Sequence, residues 1–193
     1  MTPRVAFVGC GNMASAILGG LVAAGHPRER LSAVEPHAPQ ADAVRGRWGI
    51  RVDEAGGAAL AAAQVVVWAV KPQMFRAAAA PCAAFVGGAL HLSVMAGIRS
   101  DAIARAVGSE RVARAMPNTP ALVGQGIAGL FAHAGVPDDD RAVVDRLLAP
   151  TGETLWVASE PDLDAERLGA AFAADACGRR PAPPASCPPA RSR

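Results

Sequence analysis

The sequence predicts an α/β fold built on one largely parallel sheet. Three observations predict it. Strand-like and helix-like segments alternate along the chain as far as Val157, the pattern of helices packed on both faces of a parallel sheet. Gln64–Val70 is an unbroken apolar run after its first residue, as a strand covered on both faces requires. The chain opens with Arg4–Val8, turns on Gly9 and Gly11, and runs through Ala14 into an apolar helical segment that ends near Gly25.

That opening has the form of a dinucleotide fingerprint, with Ala14 in the third small position. Gly9 permits the tight turn, Gly11 lets the backbone approach a pyrophosphate, and Ala14 lets the helix lie close on the strand. The start of the helix, at Asn12 and Met13, offers unpaired N–H groups and a positive dipole end. The expectation is therefore a doubly wound, Rossmann-type sheet with a nucleotide at its carboxyl edge.

Leu31–Glu35 reads as the second strand, ended by Pro36. Glu35 stands where the fingerprint places an acid that accepts hydrogen bonds from the adenosine ribose. A carboxylate there would repel a 2′-phosphate and favour NADH over NADPH; the plainer reading is a solvated charge at a strand end. Pro39–Trp48 is helix-like and Gly49–Val52 a short strand. Asp53 suits the N-cap of an alanine-rich helix ending near Ala63.

After Val70, Pro72 suits the first position of the next helix, leaving Lys71 at the strand's carboxyl end. Leu90–Met95 is a fifth strand, and Ala96-Gly97 lets a ligand approach the backbone. Ser100 or Asp101 can cap a helix through Val107. Val112–Ala115 leads into Met116-Pro117-Asn118-Thr119-Pro120, where two prolines stiffen the loop. Gly126–Ala132 is a further strand, Pro137–Ala149 a helix and Thr154–Val157 the last strand.

Composition narrows the function. The 193 residues are 51% hydrophobic, enough for a sizeable core, and a net charge of +2 makes no case for nucleic acid or an anionic membrane as partner. No stretch reaches membrane-spanning length, and Met1–Gly9 is unlike a signal peptide. Cys10, Cys82, Cys177 and Cys187 have no metal-type spacing, so no metal site and a reducing, cytoplasmic setting are expected. His26, His37, His91 and His133 have no partner at triad spacing, and nothing suggests hydrolysis. Of 19 Lys plus Arg only Lys71 is lysine, and Asn12 and Asn118 are the only asparagines. In an arginine-rich background a lone lysine suggests a site that wants a compact ammonium.

Four segments together resemble pyrroline-5-carboxylate reductase: Phe7–Met13 with Ile17-Leu18-Gly19-Gly20, then Ala69-Val70-Lys71-Pro72-Gln73, then Ser93–Gly97, then Arg114–Leu122. They occur in the family's order, and the likeness runs from Val5 to about Ala165. It implies hydride transfer from a nicotinamide cofactor, NADPH or NADH, to the carbon of a cyclic imine, the last step of proline biosynthesis. By that pattern Gly9, Gly11, Asn12 and Met13 hold the pyrophosphate. Ala69, Val70, Lys71 and Pro72, with Met95, Ala96 and Gly97, line the cofactor, and Asn118 and Thr119 lie near the nicotinamide and substrate. No catalytic side chain is assigned; water can supply the proton.

The likeness also implies a homo-oligomer built on a helical dimerisation domain, which is expected to be absent here. Residues 1–165 are read as the dinucleotide-binding domain. Residues 166–193, rich in Ala, Pro and Arg, are expected to be an aberrant, disordered tail left by a frameshift or deletion. Surface around Gly126–Phe131 and Leu147-Leu148 is then expected to lie open. Two other readings stand beside the reductase: a catalytically inactive dinucleotide-binding module, and a hydroxyacid dehydrogenase of the same fold.

Overall fold

Every residue of the first strand, β1 (Val5–Val8), is buried, and the rest of the chain is laid out on either side of it. A computed structural model describes residues 2–164; the expectations for residues 166–193 lie outside the described residues. In order after β1 come α1 (Asn12–Ala23), β2 (Leu31–Val34), α2 (Ala38–Trp48), β3 (Arg51–Asp53), α3 (Ala58–Ala61) and β4 (Val65–Trp68). Then follow α4 (Phe75–Ala79), α5 (Ala83–Val86), β5 (Leu90–Ser93), α6 (Ser100–Val107) and β6 (Val112–Pro117). The last are β7 (Gly126–Ala132), α7 (Asp138–Leu148), β8 (Gly152–Trp156) and α8 (Glu160–Asp164).

The sheet order is β3-β2-β1-β4-β5-β6-β7-β8. The first six strands are parallel, β7 returns antiparallel to β6, and β8 runs parallel to β7. Alternate residues of β1 feed two cores, since successive side chains of a strand point to opposite faces. Val5 and Phe7 meet α1, α2 and α7 through Ile17, Leu18, Val44 and Val144. Ala6 and Val8 meet α3 to α6 through Leu60, Phe75, Val86 and Ile103. The fold is doubly wound, as expected.

α1 is seated by its small residues. A Cβ on Gly19 would come within 2.7 Å of the Trp48 ring, and one on Gly20 within 2.8 Å of Pro150. The Gly19-Gly20 pair thus lets α2 and the Ala149–Thr151 turn approach the helix that carries the glycine turn.

Four local expectations are corrected. Asp53 does not cap a helix: it ends β3 in register with Val34, and its carbonyl accepts the Glu35 N–H at 2.9 Å. The helix that follows begins only after Gly57. The stretch beyond Lys71 is not one helix but a 3-10 turn over Pro72–Met74 followed by two short helices separated near Pro81, which has no N–H to give. At the start of α6, Arg99 is the capping residue, and the Ser100 N–H goes to Glu160 Oε1 at 2.6 Å. Leu147 and Leu148 are buried at 3% and 0% exposure by α7's packing on the sheet. The large apolar side chains that lie open among the described residues are instead Met74, Phe85, Leu122, Val123 and Leu155.

Candidate cofactor-binding site

The carboxyl ends of β1, β2 and β4 meet at a cavity of about 730 Å³, a size suited to a small-molecule ligand. The glycine turn forms its floor. Gly9 has φ +88°, and a Cβ there would stand 2.7 Å from Val70 Cγ1 and 2.9 Å from the Ala69 carbonyl oxygen. Only glycine fits, because the turn is left-handed and is pressed against the chain leaving β4. Gly11 differs. Its φ is −68°, and the nearest heavy atom to an added Cβ is the Ala69 carbonyl oxygen at 3.9 Å. Nothing in the chain itself demands glycine at this position, so the room it leaves is room for something else.

Gly11 is the N-cap of α1 and has no side chain to cap it, and the first turn carries no acid. The leading N–H groups of the helix, from Asn12 on, precede the first residues with an intrahelical acceptor, and together with the dipole they make an anion site. Glu35 bounds the cavity on the β2 side. Its Oε2 accepts the Cys10 N–H and its Oε1 the His37 N–H, each at 3.0 Å. From α2, Gln40 Nε2 donates to the Cys10 carbonyl. These two side chains lock the turn from one side.

Burial, with the Glu35 charge second, pushes the Cys10 thiol up to about 12, and burial also raises that of Cys82, which lines the same cavity. Both stay thiols at neutral pH and act as small fillers.

Of the residues singled out from the sequence, Gly9, Gly11, Glu35, Ala69, Val70 and Lys71 line this one cavity. Asn12 and Met13 stand at its helix-side entrance as the first residues of α1. Pro72 and Gly97 border a neighbouring groove, about 700 Å³, between α4 and α6. Met95 is 2% exposed, its side chain in the core with Val8 and Trp68 and its N–H donated to Ser93 Oγ at 3.3 Å; neither it nor exposed Ala96 lines the cavity. Asn118 Oδ1 accepts the Ile127 N–H at 3.0 Å, so its side chain ties the loop to the start of β7, with exposed Thr119 beside it.

Sequence reasoning missed Gln40, Glu54 and the far wall of Ala77, Ala78, Pro81 and Cys82. None carries a pattern that could have flagged it.

Beneath the cavity Trp68 is fully buried, edge-on to Phe75, and its Nε1–H donates to His91 Nδ1 at 3.1 Å. Burial lowers the His91 pKa to about 4, which keeps the ring neutral and able to accept that bond.

The sequence profile of the family described as NADP oxidoreductase, coenzyme F420-dependent, matches residues 4–97. The pyrroline-5-carboxylate reductase of Pseudomonas aeruginosa is 41% identical over 166 residues, 85% of this chain and 61% of that protein. This chain is a relative of the pyrroline-5-carboxylate reductases. The enzyme of that name from Haemophilus influenzae is 36% identical over 163 residues, 83% of this chain and 60% of its own. The chain therefore spans about three fifths of the length of these curated relatives. Among solved structures, the pyrroline-5-carboxylate reductase of Coxiella burnetii superposes with a TM-score of 0.80 at 27% identity, covering 92% of this chain and 69% of that one. That of Plasmodium falciparum, solved with NADP bound, superposes with a TM-score of 0.73 at 24% identity, covering 91% of this chain and 63% of that one, and speaks for the fold.

Proposed function

We propose that this chain supplies the NAD(P)H-binding part of a pyrroline-5-carboxylate reductase, acting in the cytoplasm on 1-pyrroline-5-carboxylate to give L-proline. The observation that carries the reading is the Gly11 position. An uncapped helix start and an unneeded vacancy for a Cβ coincide at the mouth of the cavity, in a chain 41% identical to such an enzyme.

The residues present fit a dinucleotide. Asn12 and Met13 N–H groups would receive the pyrophosphate, Glu35 the adenosine ribose, and Lys71 with the backbone of Ala69 and Val70 the β4 side. The bound cofactor would supply a hydride. On this reading Pro72, Met95, Ala96 and Gly97 hold the nicotinamide half, with Asn118 and Thr119 beside the imine. Reduction of the C=N bond adds the hydride to carbon and a proton to nitrogen. No side chain need be the acid, so positioning carries the rate. Free thiols at Cys10 and Cys82 support a reducing compartment. Among the described residues no helix is long and apolar enough to cross a membrane. Association of copies of the chain is the remaining implication of the resemblance.

The test is a paired one on the full chain: titration with reduced dinucleotide, followed by loss of reduced-nicotinamide absorbance on adding 1-pyrroline-5-carboxylate. Binding with turnover supports the reductase. Binding with no turnover favours the inactive module, and absence of binding rejects both.

A further inference from the structure

We propose that the cavity selects NADH against NADPH, with Glu35 as the selecting residue and Glu54 as its support. This rests on the dinucleotide reading above. The neighbouring proteins do not suggest it: the Plasmodium falciparum enzyme was solved with NADP.

The placement of charge suggests it. Glu35 is fixed, not merely present, because its two oxygens take the Cys10 and His37 N–H groups, one each. A carboxylate held this way cannot swing aside, and each oxygen keeps a second lone pair. Either lone pair could accept the single O–H that a ribose 2′-hydroxyl donates. A 2′-phosphate brings negative charge and acceptors to the same spot, where the fixed Glu35 carboxylate repels it. Glu54 adds a second carboxylate to the lining.

A site for NADPH would need a cation close to the end of β2, and the nearby arginines are engaged elsewhere. Arg45 donates to Asp42 and to the Val52 carbonyl. Arg47 lies over the Trp48 ring, 4.4 Å from its centre. Arg51 is paired with Asp53 at 2.8 Å. Among the described residues Lys71 is the only lysine or arginine in the lining, and it follows β4, on the far side of β1 from Glu35.

Glu35 also braces the glycine turn, so its loss should weaken both nucleotides while changing their ratio. The ratio is the diagnostic quantity, since a merely structural role would lower the two affinities together.

The experiment is calorimetric titration of the full chain with NADH, NADPH, ADP-ribose and 2′-phospho-ADP-ribose. The parent should bind NADH more tightly than NADPH by about tenfold or more, the ratio worth 1.4 kcal/mol, and the two fragments should show the same order. Glu35→Gln removes the charge at nearly constant shape and should bring the ratio to about threefold or less. If that variant does not fold, Glu54→Gln, at an exposed position, should narrow the ratio in the same direction. A parent that binds NADPH as well as or better than NADH overturns the proposal, as does an unchanged ratio in the folded variants. Binding of neither nucleotide would overturn it together with the reading it rests on, and is thereby told apart from an NADPH preference.

Discussion

Arg114, 1% exposed within β6, holds Glu160 of α8 at 2.9 Å, although 46 residues separate them in the chain. The same guanidinium takes both oxygens of Asp164 at 2.9 and 2.7 Å, and Glu160 in turn receives the Ser100 N–H that opens α6. Burial opposes the charge on Arg114, but its hydrogen bonds to Asp164 and Glu160 prevail and raise its pKa; the same contact lowers that of Asp164. One buried ionic group therefore ties the end of the described chain to β6 and to the helix after the Met95–Gly97 loop.

Removing the cation should be costly. Arg114→Met leaves Glu160 buried beside apolar neighbours, and breaking such a pair costs about 3–5 kcal/mol. Urea unfolding should show this as a lower midpoint with an unchanged slope. Replacing both partners, Arg114→Met with Glu160→Leu, should recover a large part of it. A loss below about 1 kcal/mol in the single variant would mean that Arg99, 3.8 Å from Glu160, already suffices.

The two glycines of the turn should separate stability from binding. Gly9→Ala places a Cβ 2.7 Å from Val70 at φ +88° and should destabilise the chain by about 1–3 kcal/mol. Gly11→Ala meets only the Ala69 carbonyl oxygen, at an ordinary contact distance of 3.9 Å, so its stability should stay within about 0.5 kcal/mol of the parent. Its dinucleotide affinity should nonetheless fall, since the new methyl group occupies the room at the helix start. Equal stability losses in the two variants would contradict this division.

Lys71 should contribute directly to cofactor affinity. It is exposed and lines the cavity beside Ala69 and Val70. Lys71→Ala should weaken dinucleotide binding by about 1.5–3 kcal/mol, the worth of a hydrogen bond to a charged group. The affinity, followed by tryptophan fluorescence or calorimetry, would match the parent's if Lys71 were a bystander.

Stability should fall as the solution is acidified through the titration of His91. In the folded chain burial lowers its pKa from 6.5 to about 4, so the unfolded chain binds the proton first. The stabilising contribution is complete above pH 6.5 and is lost as the pH falls toward about 4. Burial lowers the pKa of His26 as well, which steepens the same slope. His91→Gln, whose side-chain oxygen can still accept the Trp68 Nε1–H, should flatten the profile between those limits. An identical profile for parent and variant would count against the assignment.

Much of the site could be read from local sequence because its constraints are local. A turn at positive φ needs Gly9 whatever surrounds it, an all-apolar run such as Val65–Trp68 needs cover on both faces, and Pro72 needs the first turn of a helix. Glu35 stood out because an acid one residue beyond β2 has few roles in this fold. Asp53, Ser100 and Asp101 misled for a related reason. Each has good capping chemistry, but the register of β3 on β2 and the arrival of Glu160 at α6 decided otherwise.

The sequence by itself determined the α/β class, the order of strands and helices, and the glycine turn between β1 and α1. Those follow from backbone sterics and from the periodicity of apolar residues over a few positions. Only the tertiary structure decided that Glu35 clasps the Cys10 N–H, that Gln40 closes on the Cys10 carbonyl, and that β7 turns back along β6. It alone brought Pro81 and Cys82 round to form the cavity's far wall. Such contacts join residues tens of positions apart, and they form only where burying both cores of the sheet offsets the entropy of bringing them together.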